Sequence, residues 1–323
     1  MIDDRLWEIS WKGQFAVMLD IVTPKPGNVH RYYDHPDTRL VHFTASIARL
    51  GQPLFLAAQR GNELQRTQDP SSVGLGELIK LATQATISPH GKNTLLGTIL
   101  LMVPLAASAG IDVQGSRFTP EKLRKGITRF LKDSTVEDAV SLIHALQIAK
   151  PGGAIPKTTQ WTSKHKSLDY RSPQTIHHLR AEGYTLRSYM ALSAPYDAVA
   201  QEYATDFAYI FDVLYPQFFH ALNRHTTAEN ATLSTFMWEL GQRPDTFIQR
   251  KAGSEAAEEV RSRAQSLYTK MTHTPEPQWL KLLAPFDNYL HSKGSQLNPG
   301  TTADLLSAAI FVALLAENLT TLL

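Results

Sequence analysis

The chain has 323 residues and a mass of 36.0 kDa, enough for one large domain or two modest ones, with 32 Lys and Arg set against 30 Asp and Glu. A formal charge of +2, with 19% charged residues, gives neither the basic footprint of a nucleic-acid binder nor the self-repulsion of a disordered chain. Zero Cys excludes disulfides, thiolate metal sites and a thiol nucleophile, and the start MIDDRLWEIS, with two acids and no apolar run, reads as cytoplasmic rather than secreted.

Helical periodicity dominates from the first turn. It predicts a helix over 4–22, then one from about 38 in which Leu40, Phe43, Ile47 and Leu50 share a stripe, ending near Gly51-Gln52-Pro53. The same spacing predicts helices over 75–85, 93–109, 120–131, 136–149, 197–222, 228–240, 255–271, 278–291 and 302–319. Two stretches approach membrane composition, 95–111 and 305–323, but Gly97 and Pro104 interrupt the first and Glu317 and Asn318 the second. Both are short for a span of ~20 residues and are expected as buried core helices, with no membrane association. No run alternates with period two between turn signals, so no sheet is expected. The expected fold is all-α, a single multi-helix globular bundle with buried central helices spanning 1–323. Within it, 150–187 reads as a basic surface insertion, with seven Lys or Arg against Asp169 and Glu182.

Nucleotide and hydrolase signatures are missing. Gly74-Leu75-Gly76 lacks a third Gly and a preceding strand, Gly91-Lys92-Asn93 lacks the upstream Gly of a phosphate-binding loop, and the twelve His residues show no metal-ligand spacing. Three loop-to-helix junctions carry the chemistry instead. In Thr23-Pro24-Lys25-Pro26-Gly27-Asn28-Val29-His30-Arg31, two prolines stiffen the strut under Lys25. Gly27 turns the backbone so that the N–H groups of Asn28 and Val29 are exposed, and with His30 and Arg31 nearby the segment suits an anion. In His90-Gly91-Lys92-Asn93-Thr94 a polar start leads into an apolar helix, whose buried N–H groups need Asn93 or Thr94 as a cap, an anion, or both. In Leu297–Asp304, Thr301 as N-cap would put Asp304 at capping-box spacing; the other reading is that Asp304 holds Mg²⁺ on a polyphosphate.

Taken in order, Thr-Pro-Lys-Pro-Gly at 23–27 with Arg31, Gly-x-Asn-Thr-x-x-Gly at 91–97 and Pro-Gly-x-x-Ala-Asp-Leu-Leu at 299–306 resemble the motifs of the triphosphoribosyl-dephospho-CoA synthase family. Lys251-Ala252-Gly253 and Pro151-Gly152-Gly153 resemble further landmarks, and the resemblance runs from about residue 10 onward. It implies an all-α enzyme that joins ATP to 3′-dephospho-CoA with release of adenine, making a prosthetic-group precursor for citrate- or malonate-lyase-type acyl carriers. His30 stands where the citrate-lyase branch has Asp, and Leu95-Leu96 where it has His-Lys. The sequence is more similar to the archaeal-like branch, which is also met beside tetrahydromethanopterin genes. The acceptor could then be a C1-carrier precursor; a non-catalytic helical nucleotide-binding protein is the remaining alternative.

The reaction implied by the resemblance is attack of a hydroxyl on the ribose C1 of ATP, with inversion and an oxocarbenium-like transition state, so no covalent enzyme intermediate is needed. Asp37 is then the candidate base and His30 a candidate acid. ATP, as substrate, would be held by Lys25, Gly27, Asn28, Arg31, Asn93, Thr94, Lys251, Gly300 and Thr301, with Asp304 as the Mg²⁺ ligand. The expected partners are small molecules only, and an apolar stripe serves a homo-oligomer as readily as a core.

Overall fold

The computed structural model describes residues 2–113, 115, 118–152 and 167–317. In chain order the helices are α1 (Ile2–Val22), α2 (Leu40–Thr67), α3 (Leu75–Ile87), α4 (Leu96–Ile111), α5 (Pro120–Lys132), α6 (Val136–Ala149), α7 (Thr175–Glu182) and α8 (Leu186–Ala191). They continue with α9 (Ala198–Ala204), α10 (Tyr215–Arg224), α11 (Ala228–Gln242), α12 (Thr246–Ala252), α13 (Ser254–Met271), α14 (Trp279–His291) and α15 (Gly300–Ala316). Among the described residues the only β pairing is an isolated bridge between His30 and Tyr33, and no helix is long and apolar enough to cross a membrane.

The two helices of membrane-like composition are the ones buried inside the bundle. α4 is buried from Thr98 to Gly110 and α15 from Leu305 to Ala316, and these two pack on each other and on α1. Helices apolar on every side can only be satisfied by neighbours on every side, so α1, α2, α5 and α11 surround them.

Where the chain departs from the periodicity, tertiary contacts explain it. α2 does not stop at Gly51-Gln52-Pro53 but runs to Thr67 with Pro53 inside it. Pro53 removes one helical hydrogen bond, and the flanking turn is held from α1: Ser10 Oγ donates to the Gly51 carbonyl at 2.6 Å and Gln14 Nε2 to the Ile47 carbonyl at 2.7 Å. The helix expected over 197–222 is broken instead. Asp206 and Phe207 take left-handed φ values of 55° and 58°, and a π-turn at Ile210–Leu214 precedes α10. Burial of the Phe207 ring and the capture of the Ile210 N–H by the Glu202 carboxylate, at 3.0 Å, hold that break in place. Three short helices, α7, α8 and α12, carry too few turns to show a period, and α7 and α8 fold part of the expected basic insertion. Residues 153–166 of that insertion, and 318–319 of the last expected helix, lie outside the described residues.

Glu202 is fully buried, and its Oε1 has no partner. Burial pushes its carboxyl up to about 7, whereas an unfolded Glu titrates near ~4.3. A folded-state value above the unfolded one means that stability is complete at low pH and falls as the pH rises through about 7. Glu202→Gln should therefore raise the melting temperature at pH 8 by a few degrees more than at pH 5; equal displacements at the two pH values would contradict the assignment.

Candidate functional site

A cavity of about 740 Å³ opens between the end of α1, the 23–29 loop, the start of α4, the segments around 150 and 170, α8, α9, α12 and the start of α15. Its lining includes Lys25, Asn28, Asp37, Asn93, Thr94, Lys251, Gly300, Thr301 and Asp304, which come from the loop between α1 and α2, from the two other junctions and from α12. Gly27, His30 and Arg31 are not part of the lining.

Lys25 is 1% exposed. Its Nζ donates to Asp20 Oδ2 at 2.8 Å and to the Asp20 carbonyl, and lies 5.7 Å from the centre of the Phe236 ring. Burial lowers the Lys25 ammonium and raises the Asp20 carboxyl, and each partner pulls the other back toward its charged form. Asp20 sits in the last turn of α1, so the stiff Pro-Lys-Pro-Gly segment folds Lys25 back beneath the helix it follows. Gly27 has φ +80°, and a methyl group there would come within 2.7 Å of Leu290. Its N–H donates to Asp287 Oδ1 at 2.8 Å.

The capping-box reading of Asp304 does not hold. α15 begins at Gly300 with no side-chain cap on its N-cap residue Pro299, and Asp304 Oδ1 instead accepts from Thr98 Oγ1 of α4 at 2.6 Å. The cap comes from Asp245, a residue the sequence pattern did not single out. Its buried carboxylate accepts the N–H groups of Phe247 and Ile248 at 2.8 and 3.0 Å on one oxygen, and Thr302 N and Oγ1 at 2.7 and 2.8 Å on the other. One carboxylate thus joins the starts of α12 and α15, and with them Lys251 to Asp304. Asp304 is free to face the cavity, where burial first, then the carboxylates of Asp20 and Asp245, push it up to about 7 against the Thr98 bond. Gly97 explains the last position of the second motif: a methyl group there would lie 2.0 Å from Asp304 Oδ2.

At the second junction α4 begins later than expected, with Leu95 as its N-cap residue and no side-chain cap there; Asn93 Oδ1 accepts from Leu96 N at 3.2 Å, while Thr94 Oγ1 is 2.7 Å from Ser46 Oγ. Lys251 Nζ lies 4.3 Å from the Phe247 ring centre and 3.3 Å from the Ser295 carbonyl, and burial lowers its pKa. The adjacent Arg250 also lines the cavity and pairs with Asp197 at 2.7 Å.

His30 and Arg31 are directed elsewhere. His30 Nε2 sits 3.3 Å from Asp287 Oδ2, and Arg31 pairs with Glu229 at 2.5 Å in an exposed bridge. The imidazole on the cavity is that of His35, 3% exposed, whose Nε2 lies 3.1 Å from the Gly27 carbonyl. A carbonyl only accepts, so Nε2 carries the proton and Nδ1 keeps a lone pair; Nδ1 has no partner. Burial lowers the His35 pKa, which keeps the ring neutral at neutral pH. Among the described residues no group of three or more His, Asp or Glu is arranged to hold a metal.

A family model described as ATP:dephospho-CoA triphosphoribosyl transferase matches residues 7–321. The crystal structure of a proposed triphosphoribosyl-dephospho-CoA synthase from Archaeoglobus fulgidus is similar in fold, with a TM-score of 0.59 and 19% identity over 84% of this chain and 98% of that one. No curated protein matches the chain.

Proposed function

Since the chain belongs to the family of ATP:dephospho-CoA triphosphoribosyl transferases, and so is a transferase with ATP as a substrate, we propose that the central cavity is where ATP loses adenine and its ribose C1 is joined to the acceptor hydroxyl. One observation carries the reading: Lys25, Asn93, Lys251 and Asp304, far apart in sequence, line a single cavity.

The triphosphate brings about four negative charges. Lys92, Lys150, Arg250 and Lys251 on the lining supply positive charge to match it, and Lys25 supplies more in a setting where water screens little. The start of α15 contributes less than its position suggests, because the Thr302 N–H is already taken by Asp245. Asp304 faces a developing positive charge at C1, or a cation on the phosphates. Its surroundings of carboxylate and hydroxyl oxygens, without thiolate, fit a hard cation, and Asp304 would hold Mg²⁺. When bound, that ion neutralises phosphate charge and orients the triphosphate.

The acceptor hydroxyl must lose a proton. We assign its removal to the pair formed by Asp37 and His35, both on the lining, with the Nδ1 lone pair of a neutral His35 as the acceptor and the Asp37 charge favouring the imidazolium that results. His30, held by Asp287, fits a role in fixing the loop beneath them better than a role as acid.

Dephospho-CoA is the acceptor the family description names. Leu95 and Leu96 give this stretch of the lining an apolar surface, which favours testing a C1-carrier precursor beside it. The purified chain, given ATP, Mg²⁺ and dephospho-CoA, should release adenine, detected by chromatography, in step with an adduct. Folded protein that releases no adenine with either acceptor would refute the reading.

A further inference from the structure

We infer that Asp20 and Asp304 together hold one divalent cation on the floor of the cavity, Asp20 through Oδ1 while Lys25 occupies its Oδ2. The inference extends the proposed function, from which it takes only the phosphate oxygens that would complete the ion's shell.

Three observations lead to it. The first is an unsatisfied atom: Asp20 is 4% exposed and lines the cavity, yet its Oδ1 has no hydrogen-bond partner. A buried carboxylate oxygen without a donor is unfavourable, and native folds keep such atoms where something else binds them. Secondly, the charges do not balance. Asp20 and Asp304 line the same cavity, and Lys25 is the one ammonium paired with either of them among the described contacts. Both carboxylates ionised leave one net negative charge in a buried site, which a cation removes.

The third observation is the placing of Asp304. Its Oδ1 is bound by Thr98 Oγ1 at 2.6 Å and its Oδ2 rests against Gly97, where a methyl group would come within 2.0 Å of it, so the carboxylate fits beside the start of α4 because position 97 has no side chain. Each aspartate has one oxygen held by a protein donor, and both line the cavity.

The donor set selects the ion. Two carboxylates with hydroxyls around them, and neither imidazole nor thiolate, suit Mg²⁺ or Mn²⁺ over zinc or copper. Because no third acid or His joins them, water and substrate oxygens must fill the rest of the shell, which is the usual state of Mg²⁺ at a phosphate site.

The test uses Mn²⁺ and Fe²⁺ on the whole chain without nucleotide. Electron paramagnetic resonance should show one Mn²⁺ per wild-type chain, and Asp20→Asn and Asp304→Asn should each weaken it about tenfold or more. Asp20→Asn removes the partner of a buried lysine and could unfold, so a second measurement needs no variant. Fe²⁺ with ascorbate should cut the wild-type backbone near residue 20 and near residue 304, and excess Mg²⁺ should suppress both cuts. Unchanged Mn²⁺ binding in folded Asp20→Asn, cuts near 304 alone, or neither binding nor cuts would overturn the assignment. A wild type that binds Mn²⁺ but releases no adenine from ATP would sink the proposed reaction and leave this site standing; adenine release with an intact Mn²⁺ site in Asp20→Asn would do the reverse.

Discussion

Lys25→Met should lower adenine release from ATP by about 10³-fold or more, in a chain that still folds at mildly acidic pH. Methionine keeps the length and apolar stem that fill the space beneath α1 and removes only the ammonium. The lost charge is buried, so neighbouring surface cations, screened by water, cannot replace it. Asp20 is then left without its partner. Stranding one member of a buried ion pair costs about 3–5 kcal/mol when the survivor stays charged, and less when it can be neutralised. Burial already raises the Asp20 carboxyl, and loss of Lys25 raises it further. With the folded value above the unfolded one, the variant is most stable below the unfolded carboxylate range and weakens as pH rises. Melting curves from pH 5 to 8, with activity measured wherever the chain is folded, check both parts. Near-normal turnover in folded Lys25→Met would remove the lysine from the site.

Asp304→Asn should abolish turnover and yet melt at a higher temperature than the wild type at pH 8. At that pH a carboxyl pushed up to about 7 is mostly ionised, at the expense of folding, beside Asp20 and Asp245. An amide has no charge to desolvate and can still accept from Thr98 through its carbonyl oxygen. Near pH 5 the wild-type carboxyl is protonated and the two melting temperatures should converge. A residue that served only to cap α15 would behave oppositely, losing ~1 kcal/mol at every pH and retaining activity. The combination of higher stability with lost turnover marks an acid kept for chemistry.

The long helices were legible where an amphipathic stripe repeats over several turns, as in α5 and α14. Pro53 misled because its effect on α2 is offset by Ser10 and Gln14, which lie about forty residues earlier in the chain. Lys25 stood out on its stiff Pro-Lys-Pro-Gly segment, and Asn93 and Asp304 as polar groups at the mouths of apolar helices, where a buried polar residue needs a reason. Arg31 and His30 shared the same motif, but a turn sends neighbours to different sides, and composition does not tell which. Asp20 is one polar residue near the end of α1 that no sequence pattern singles out, and its meaning depends on Lys25 folding back onto it. α12 has too few turns to read from the sequence, so neither Asp245's cap of that helix nor its bonds to Thr302, 57 residues away, were legible.

The grip of α1 on α2 makes the first helix a phase ruler. Ser10 and Gln14 index it against the carbonyls of Gly51 and Ile47, and about one and two-thirds turns beyond Gln14 the same helix delivers Asp20. Adding or deleting a single residue between Gln14 and Asp20 would swing the carboxylate by about 100° around the helix axis and slide it by about 1.5 Å. An insertion at a loop tip would leave this register untouched, whereas the six-residue interval from Gln14 to Asp20 is a fixed count.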